Sequence, residues 1–309
     1  MSQSKEEQLF NAVFQGDLDL VMSLCSDPAV NINWQYRGYT SLFVACQEGQ
    51  VGVVEYLLSL KEIDTDRPAD DGATPFLMAC ENGHKEVVSL LLADPRIDPN
   101  EPNRNQATPI FMACTKGHQE VVALLLADPR IVPDNADDDG FTPFLVASQV
   151  GKKEVVSLLL ADPRVDPNRP ETTGATPFCI ACQEGHQEVV SLMLADSRFD
   201  PNQPKIDGVT PFFLACQNAH KEVVSLLLAD PRIDLNKPEN EGASPLWQAS
   251  QNGHLAVVQR LLASGRNIDT KLRASFNNRT AAEQGRAMET AAMDNDETEE
   301  QWPPLRQPD

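Results

Sequence analysis

The chain repeats itself every 34 residues. A threonine or serine stands at Thr40, Thr74, Thr108, Thr142, Thr176, Thr210 and Ser244, always at the same spacing. Self-similarity at such a period confines a sequence to architectures in which equivalent units stack on one another. Proline follows six of the seven, at Pro75, Pro109, Pro143, Pro177, Pro211 and Pro245, and Ser41 takes its place in the first. Thr-Pro ahead of an apolar run is a helix start. The hydroxyl accepts a bond from an otherwise unpaired backbone N–H, and proline at the first helical position gives up an N–H that has no partner anyway.

Each start leads into a short helix, as at 76–82, which breaks at a glycine and restarts. The break recurs at Gly49, Gly83, Gly117, Gly151, Gly185 and Gly253, with Ala219 as the exception. Glycine ends a helix there by taking the left-handed conformation, in which alanine is strained. The second helix, as at 84–93, carries Val87, Val88, Leu90, Leu91 and Leu92 on more than one face, so neighbouring units are expected to cover it on both sides. The stretch that begins Asp94-Pro95-Arg96 and runs to the next Thr-Pro is rich in Pro, Asn and Asp, which predicts a turn or a two-stranded hairpin.

Residues 74–92, Thr-Pro-Phe-Leu-Met-Ala-Cys-Glu-Asn-Gly-His-Lys-Glu-Val-Val-Ser-Leu-Leu-Leu, resemble an ankyrin repeat, whose pattern is Thr-Pro-Leu-His-x-Ala, then Gly-His, then Val-Val-x-Leu-Leu. The resemblance implies an all-α repeat solenoid of helix-turn-helix units with hairpin or turn fingers. It divides the chain into an N-terminal capping repeat at 5–37, which keeps Ala12, Gly16 and Val21, and seven full repeats at 38–271. A degenerate C-terminal cap at 272–292 and an acidic tail at 293–309, expected to be disordered, complete it. Two departures stand out. The histidine of the family's Thr-Pro-Leu-His is replaced by Phe43, Leu77, Phe111, Leu145, Cys179, Phe213 and Trp247, so apolar packing is expected where the family has a Thr-to-His bond. The period is also one residue longer than the usual 33, and the extra residue falls near Asp-Pro-Arg.

Composition narrows the function. The 46 acidic and 25 basic side chains give a formal net charge of -21. Such a chain repels nucleic-acid phosphates and anionic membrane surfaces and favours a protein partner with a basic surface, although the charge also serves to keep a long surface soluble. Apolar runs fall far short of the roughly 20 residues that span a bilayer, and the polar N-terminus lacks the features of a signal peptide. Seven cysteines, an odd number, fit reduced thiols. The expectation is a monomeric cytoplasmic protein, with the nucleus also open.

Residues that elsewhere carry chemistry sit here at repeat-equivalent places. His84, His118, His186, His220 and His254 all follow the inter-helix turn, which points to a bond with nearby backbone. Cys46, Cys80, Cys114, Cys182 and Cys216 share one core position, where Ser148 and Ser250 substitute. The Cys179–Cys182 pair arises because Cys179 takes a place held by Leu or Phe in other repeats. Asn135 to Gly140 matches the start of a calcium-binding loop, but its twelfth position would be Val146. No catalytic group, cofactor or metal is expected, and the chain is read as a non-enzyme. Arginines at Arg96, Arg130, Arg164, Arg198 and Arg232 each follow an aspartate by two residues, predicting ladders of paired surface charge.

Proteins of the resembling family hold partners on a concave face made of finger tips and first helices. Carried over by position, that face includes Trp34, Tyr36, Arg37 and Tyr39 at the first finger and Asp138, Asp139 and Phe141 at a later one. Its helix positions include Gln47, Glu48, Glu81, Asn82, Thr115 and Lys116. Aromatic and arginine side chains supply most interface hot spots, which singles out the first finger, unless Trp34 instead folds back over the cap. The function expected is a scaffold or adaptor; the alternative is a substrate-recruiting or inhibitory subunit of an enzyme complex.

Overall fold

A computed structural model describes residues 3–270, which form sixteen helices in eight consecutive pairs. The C-terminal cap expected at 272–292 and the tail at 293–309 lie outside the described residues. The chain divides into two compact units, one ending at Thr172 and the other beginning at Thr173. The first unit holds α1 (Lys5–Gln15) with α2 (Leu18–Cys25), α3 (Ser41–Gln47) with α4 (Val51–Ser59), α5 (Pro75–Glu81) with α6 (Lys85–Ala93), α7 (Pro109–Lys116) with α8 (Gln119–Ala127), and α9 (Pro143–Gln149) with α10 (Lys153–Ala161). The second holds α11 (Pro177–Glu184) with α12 (Gln187–Leu194), α13 (Pro211–Gln217) with α14 (Lys221–Ala229), and α15 (Pro245–Gln251) with α16 (Leu255–Ala263).

Every first helix after α1 starts as its sequence requires. The buried hydroxyls of Thr40, Thr74, Thr108, Thr142, Thr176, Thr210 and Ser244 accept from the N–H three residues on, at 3.1–3.4 Å. Those N–H groups belong to the residues that replace the family's histidine, and their side chains are all buried. α1 has its own cap, in which Ser4 and Glu7 each satisfy the other's backbone N–H. In the second helices after α2, Val87, Val88 and Leu91 and their equivalents are buried, whereas Leu90 and Leu92 are half-buried along the helix flanks.

The turn between paired helices is where one repeat grips the next. Gly49, Gly83 and Gly185 take φ of 70°, 75° and 79°. A Cβ on them would lie 2.6, 2.5 and 2.3 Å from the imidazoles of His84, His118 and His220 in the following repeat. Nε2 of His84 donates to the Gln47 carbonyl at 2.8 Å, and that of His118 to Glu81 at 2.8 Å. In the second unit, His220 donates to Gln183 at 2.7 Å and His254 to Gln217 at 2.8 Å. The glycine therefore supplies both a left-handed turn and room for the next imidazole.

A second tie leaves from the Asp-Pro-Arg turns. Arg96 and Asp94 pair at 2.5 Å, and equivalent pairs form at Arg130, Arg164, Arg198 and Arg232, as their spacing predicts. Within each unit the guanidiniums of Arg96, Arg130, Arg164 and Arg232 also reach back to the end of the preceding second helix. Nη2 donates to Leu58 from Arg96 at 2.8 Å, to Leu92 from Arg130 at 2.6 Å, to Leu126 from Arg164 at 2.7 Å and to Leu194 from Arg232 at 2.7 Å. These are carbonyls that a helix leaves unpaired at its C-terminus, where a cation is also favoured by the helix dipole. The arginine beside each aspartate holds Asp94, Asp128, Asp162, Asp196 and Asp230 below the usual carboxylate range.

The fingers come in two forms. The first is a two-stranded hairpin, β1 (Gln35–Tyr36) against β2 (Tyr39–Thr40), turned by Arg37 at φ 52° and Gly38 at φ 86°. Consecutive positive φ values are the signature of a two-residue type I′ turn. Later fingers close over three residues instead. Ala69 N–H donates to the Ala73 carbonyl and Gly72 N–H to Ala69, both at 2.9 Å, the pattern of a type I turn followed by a left-handed residue. Gln106 occupies that left-handed place at φ 60°.

Ala219 is left-handed at φ 61° in the turn position where the other full repeats have glycine. Replacing Ala219 with glycine relieves about 1 kcal/mol of backbone strain, so denaturant unfolding should shift to higher concentration. An unchanged or lower midpoint would show that the alanine is not strained. The aspartates paired with arginine should stabilise the fold fully above their ordinary value near 3.8 and lose that contribution as pH falls through their depressed values. Asp128→Asn should accordingly flatten part of the acid limb of a stability-versus-pH curve, and a superimposable limb would remove this pair from the acid response.

Candidate functional site

Adjacent fingers are joined by single backbone bonds into a row. In the first unit Arg104 N–H donates to the Asp71 carbonyl at 3.0 Å and Asp138 N–H to Asn105 at 3.2 Å. In the second unit Ile206 N–H donates to Thr173 at 3.1 Å and Asn240 N–H to Asp207 at 3.0 Å. Side chains within the fingers stiffen them further. The Asp137 carboxylate accepts from the N–H groups of Asp139 at 3.1 Å and Phe141 at 2.8 Å, so it shapes the finger whose tip carries Asp138 and Asp139. The outcome is a backbone row held in place, from which exposed side chains project.

The first finger gathers the aromatic residues singled out from sequence. Tyr36 and Tyr39 are 38% and 41% exposed. Tyr36 packs on Trp34 with ring centroids 5.9 Å apart and on Phe10 of α1 at 5.2 Å, and the Arg37 guanidinium lies 5.3 Å from its ring centre. Tyr39 packs on Phe43 at 4.9 Å. Half-buried Trp34 and exposed Tyr36 are therefore shared between the N-terminal cap and the surface, while Arg37 and Tyr39 are exposed without a contact to the cap helix. Phe10 was missed in the sequence because it lies inside an amphipathic helix with no link in register to the finger.

The helix positions show different degrees of freedom. Glu48 and Asn82 are exposed, and Gln47 and Thr115 are half-buried. Lys116 and Glu81 face each other at 3.3 Å, and Thr115 turns its hydroxyl onto the Phe111 carbonyl at 2.9 Å. Asp138 and Asp139 are exposed and Phe141 is half-buried. The second unit has a corresponding groove of about 480 Å³ between fingers and first helices. Lys205, Asp207, Glu239 and Glu241 line it on one side, with Gln217 and Gln248 on the other. Sequence reasoning weighted the aromatic first finger, whereas this groove is polar and announces itself only through positions equivalent to the tips and helix ends of the first unit.

A model of the family described as "Ankyrin repeats (3 copies)" matches residues 9–103, 61–133, 96–171, 131–205 and 178–272. The chain is an ankyrin-repeat protein. Comparison with curated proteins finds no match. Ankyrin repeats are generally protein–protein interaction modules, and among the described residues of this one no helix is long and apolar enough to cross a membrane.

The cysteines of the repeats belong to the core. Cys46, Cys80, Cys114, Cys182 and Cys216 are buried, and burial pushes every one of their thiols up. The Cys179 Sγ donates to the Gln203 carbonyl at 3.4 Å, and its thiol is raised as well. Cys25 is the half-exposed one, pushed up to about 11 by partial burial. Since the thiolate is the reactive form, native protein at neutral pH should be alkylated slowly at Cys25 and hardly at the other six positions, with all seven labelled after denaturation. Rapid native labelling of both Cys179 and Cys182, read by mass spectrometry, would contradict that assignment.

Proposed function

We propose that this ankyrin-repeat protein is a non-enzymatic scaffold or adaptor that holds a protein partner on the face built from finger tips and first helices. One observation carries the reading. Most positions that tie repeats together are alike from repeat to repeat, whereas the tips presented by the joined finger rows differ, as in Asp71, Asn105 and Asp139. A row held by backbone bonds loses little conformational entropy on binding, so side chains on it spend more of their interaction energy on the partner.

Charge supports the kind of partner. The net charge of -21, with Asp70, Asp71, Asp138, Asp139, Asp207 and Glu241 exposed on the fingers, favours a basic protein surface and disfavours nucleic acid. Arg37 and Tyr39 supply anchors of the hot-spot type beside that acidic row. The raised thiols suit a reducing compartment such as the cytoplasm or nucleus. In this reading the chain acts as a monomer, with the repeats at 38–271 as the binding body, the segment at 5–37 as its N-terminal cap and 272–292 as its C-terminal cap.

The test compares partners captured from cell extract by the intact protein and by a variant carrying Arg37→Gly and Tyr39→Ala, at low and at high salt. Glycine keeps the left-handed backbone at position 37. The expected result is a partner whose affinity falls about ten-fold in the variant, and further with salt, while thermal unfolding is unchanged. Equal capture by both forms would move recognition off the first finger. A partner insensitive to salt would remove the acidic row from the explanation.

A further inference from the structure

The segment ahead of each finger contains a seat where one side chain reads both a donor and an acceptor of the next repeat. Asn100 fills it in full: its Nδ2 donates to the Arg130 carbonyl and its Oδ1 accepts from Val132 N–H, both at 2.8 Å. Asn33 does the same with the Glu62 carbonyl at 2.8 Å and Asp64 N–H at 2.9 Å. In the second unit Asn202 binds the Arg232 carbonyl and Asp234 N–H, both at 2.7 Å, and Asn236 binds the Asn267 carbonyl and Asp269 N–H, both at 2.8 Å. An amide satisfies such a pair without charge.

Two repeats place an acid in this seat. Asp66 and Asp134 stand 34 residues to either side of Asn100. The accepting half survives, since the N–H groups of Asp98 and Asp166 bond their carboxylates. The donating half is lost: Oδ1 of each is buried with no protein donor, and the backbone groups equivalent to the Arg130 carbonyl are the carbonyls of Arg96 and Arg164. Oxygen would meet oxygen there unless a proton lay between them.

The surroundings separate the two acids. Arg169 reaches Asp134, with Nη1 2.7 Å from the Asp134 carbonyl and 3.4 Å from its Oδ2. The residue equivalent to Arg169 beside Asp66 is Glu101, a reversal of charge. Asp64, Asp98 and Glu101 all face Asp66 with like charge, and Arg96 is the cation that feels it. A groove of about 390 Å³, lined by Asp66, Asp98, Glu101 and Arg104 among others, opens the site to exchange with solvent.

We propose that Asp66 is a proton-operated latch between successive repeats: protonated, it donates to the Arg96 carbonyl as Asn100 does to Arg130, and ionised, it releases that contact. Burial, reinforced by Asp64, Asp98 and Glu101, pushes Asp66 up to about 6, while the Asp98 N–H draws it back. The folded protein then binds this proton more tightly than the unfolded chain, whose value is near 3.8. The stabilising contribution is complete below that unfolded value and is lost as pH rises through about 6. Its sign is opposite to that of the aspartates clamped by arginine. The latch sets how firmly the finger at 69–73 is held to the repeat that follows.

The test is hydrogen exchange of the full chain, read by mass spectrometry at about pH 5 and about pH 7.5 and corrected for intrinsic chemical rates. The segment containing Asp98 N–H should be about ten-fold better protected at the lower pH. Asp66→Asn should abolish the difference by supplying the amide, and Glu101→Arg should shrink it by putting the cation found at Asp134, whose carboxyl burial still holds above its ordinary value, in place of a like charge. The segment around Asp234 N–H, which an amide already holds, serves as the reference and should show no change. Protection at Asp98 independent of pH in the native chain, or a dependence that persists undiminished in both variants, would overturn the proposal. If Asp66→Asn does not fold, Glu101→Arg decides alone.

Discussion

An α-helix leaves carbonyl oxygens unpaired at its C-terminus, and within each unit of this protein the following repeat satisfies them. The end of the first helix receives a histidine where the next repeat has one, as His84 on Gln47, and the end of the second receives an arginine, as Arg96 on Leu58, whereas Gln50 and Lys152 stand in the histidine's place and Glu62 in the arginine's. Helices of seven to nine residues are too short to persist alone in water, so these contacts, with the apolar faces they bring together, are what make the helices worth forming. The glycine turns, the Asp-Pro-Arg motif and the strict period all follow from keeping those two donors in reach of those two acceptors.

Most of this was legible in the sequence because it rests on local rules. Thr-Pro placed the helix starts, glycine placed the turns, and the valine and leucine pattern placed the core, each through an interaction spanning a few residues. The arginines were read only as partners of nearby aspartates, since the carbonyl each one also clamps lies 38 residues earlier and backbone groups look alike in a sequence. Histidine is legible as a backbone-bonding residue, but its partner belongs to the preceding repeat, which only the stacking of repeats brings within reach. The candidate face was legible as a set of positions. Which of its side chains are committed elsewhere, as Tyr36 is to Phe10 and Lys116 to Glu81, depends on packing between elements that no period encodes.

The division of labour between positions bears on how such a surface can vary. Caps, turns and interrepeat ties bond main-chain donors and acceptors, which do not depend on the finger side chains, so finger tips are free to change without disturbing them. Asp66 shows the limit of that freedom. It sits in a tie and not on a tip, and a single exchange of amide for acid there converts a neutral contact into one that depends on protonation. Gln106 and Ala219 are similar departures at backbone positions suited to glycine.

The ties also have a direction. In the histidine and arginine ties within each unit the acceptor comes first in the chain and its donor follows 37 or 38 residues later, whereas the asparagine amides donate forward, as Asn100 does to Arg130. A repeat emerging during synthesis therefore carries open carbonyls until the next one is made, and water must occupy them meanwhile. Each newly made repeat thus carries the histidine and arginine that close the helix ends of its predecessor. Shortening the chain from the C-terminal side uncovers the helix-end carbonyls that histidine and arginine had closed, and from the other side those imidazoles and guanidiniums, two ends that differ in chemistry although the units between them are nearly the same.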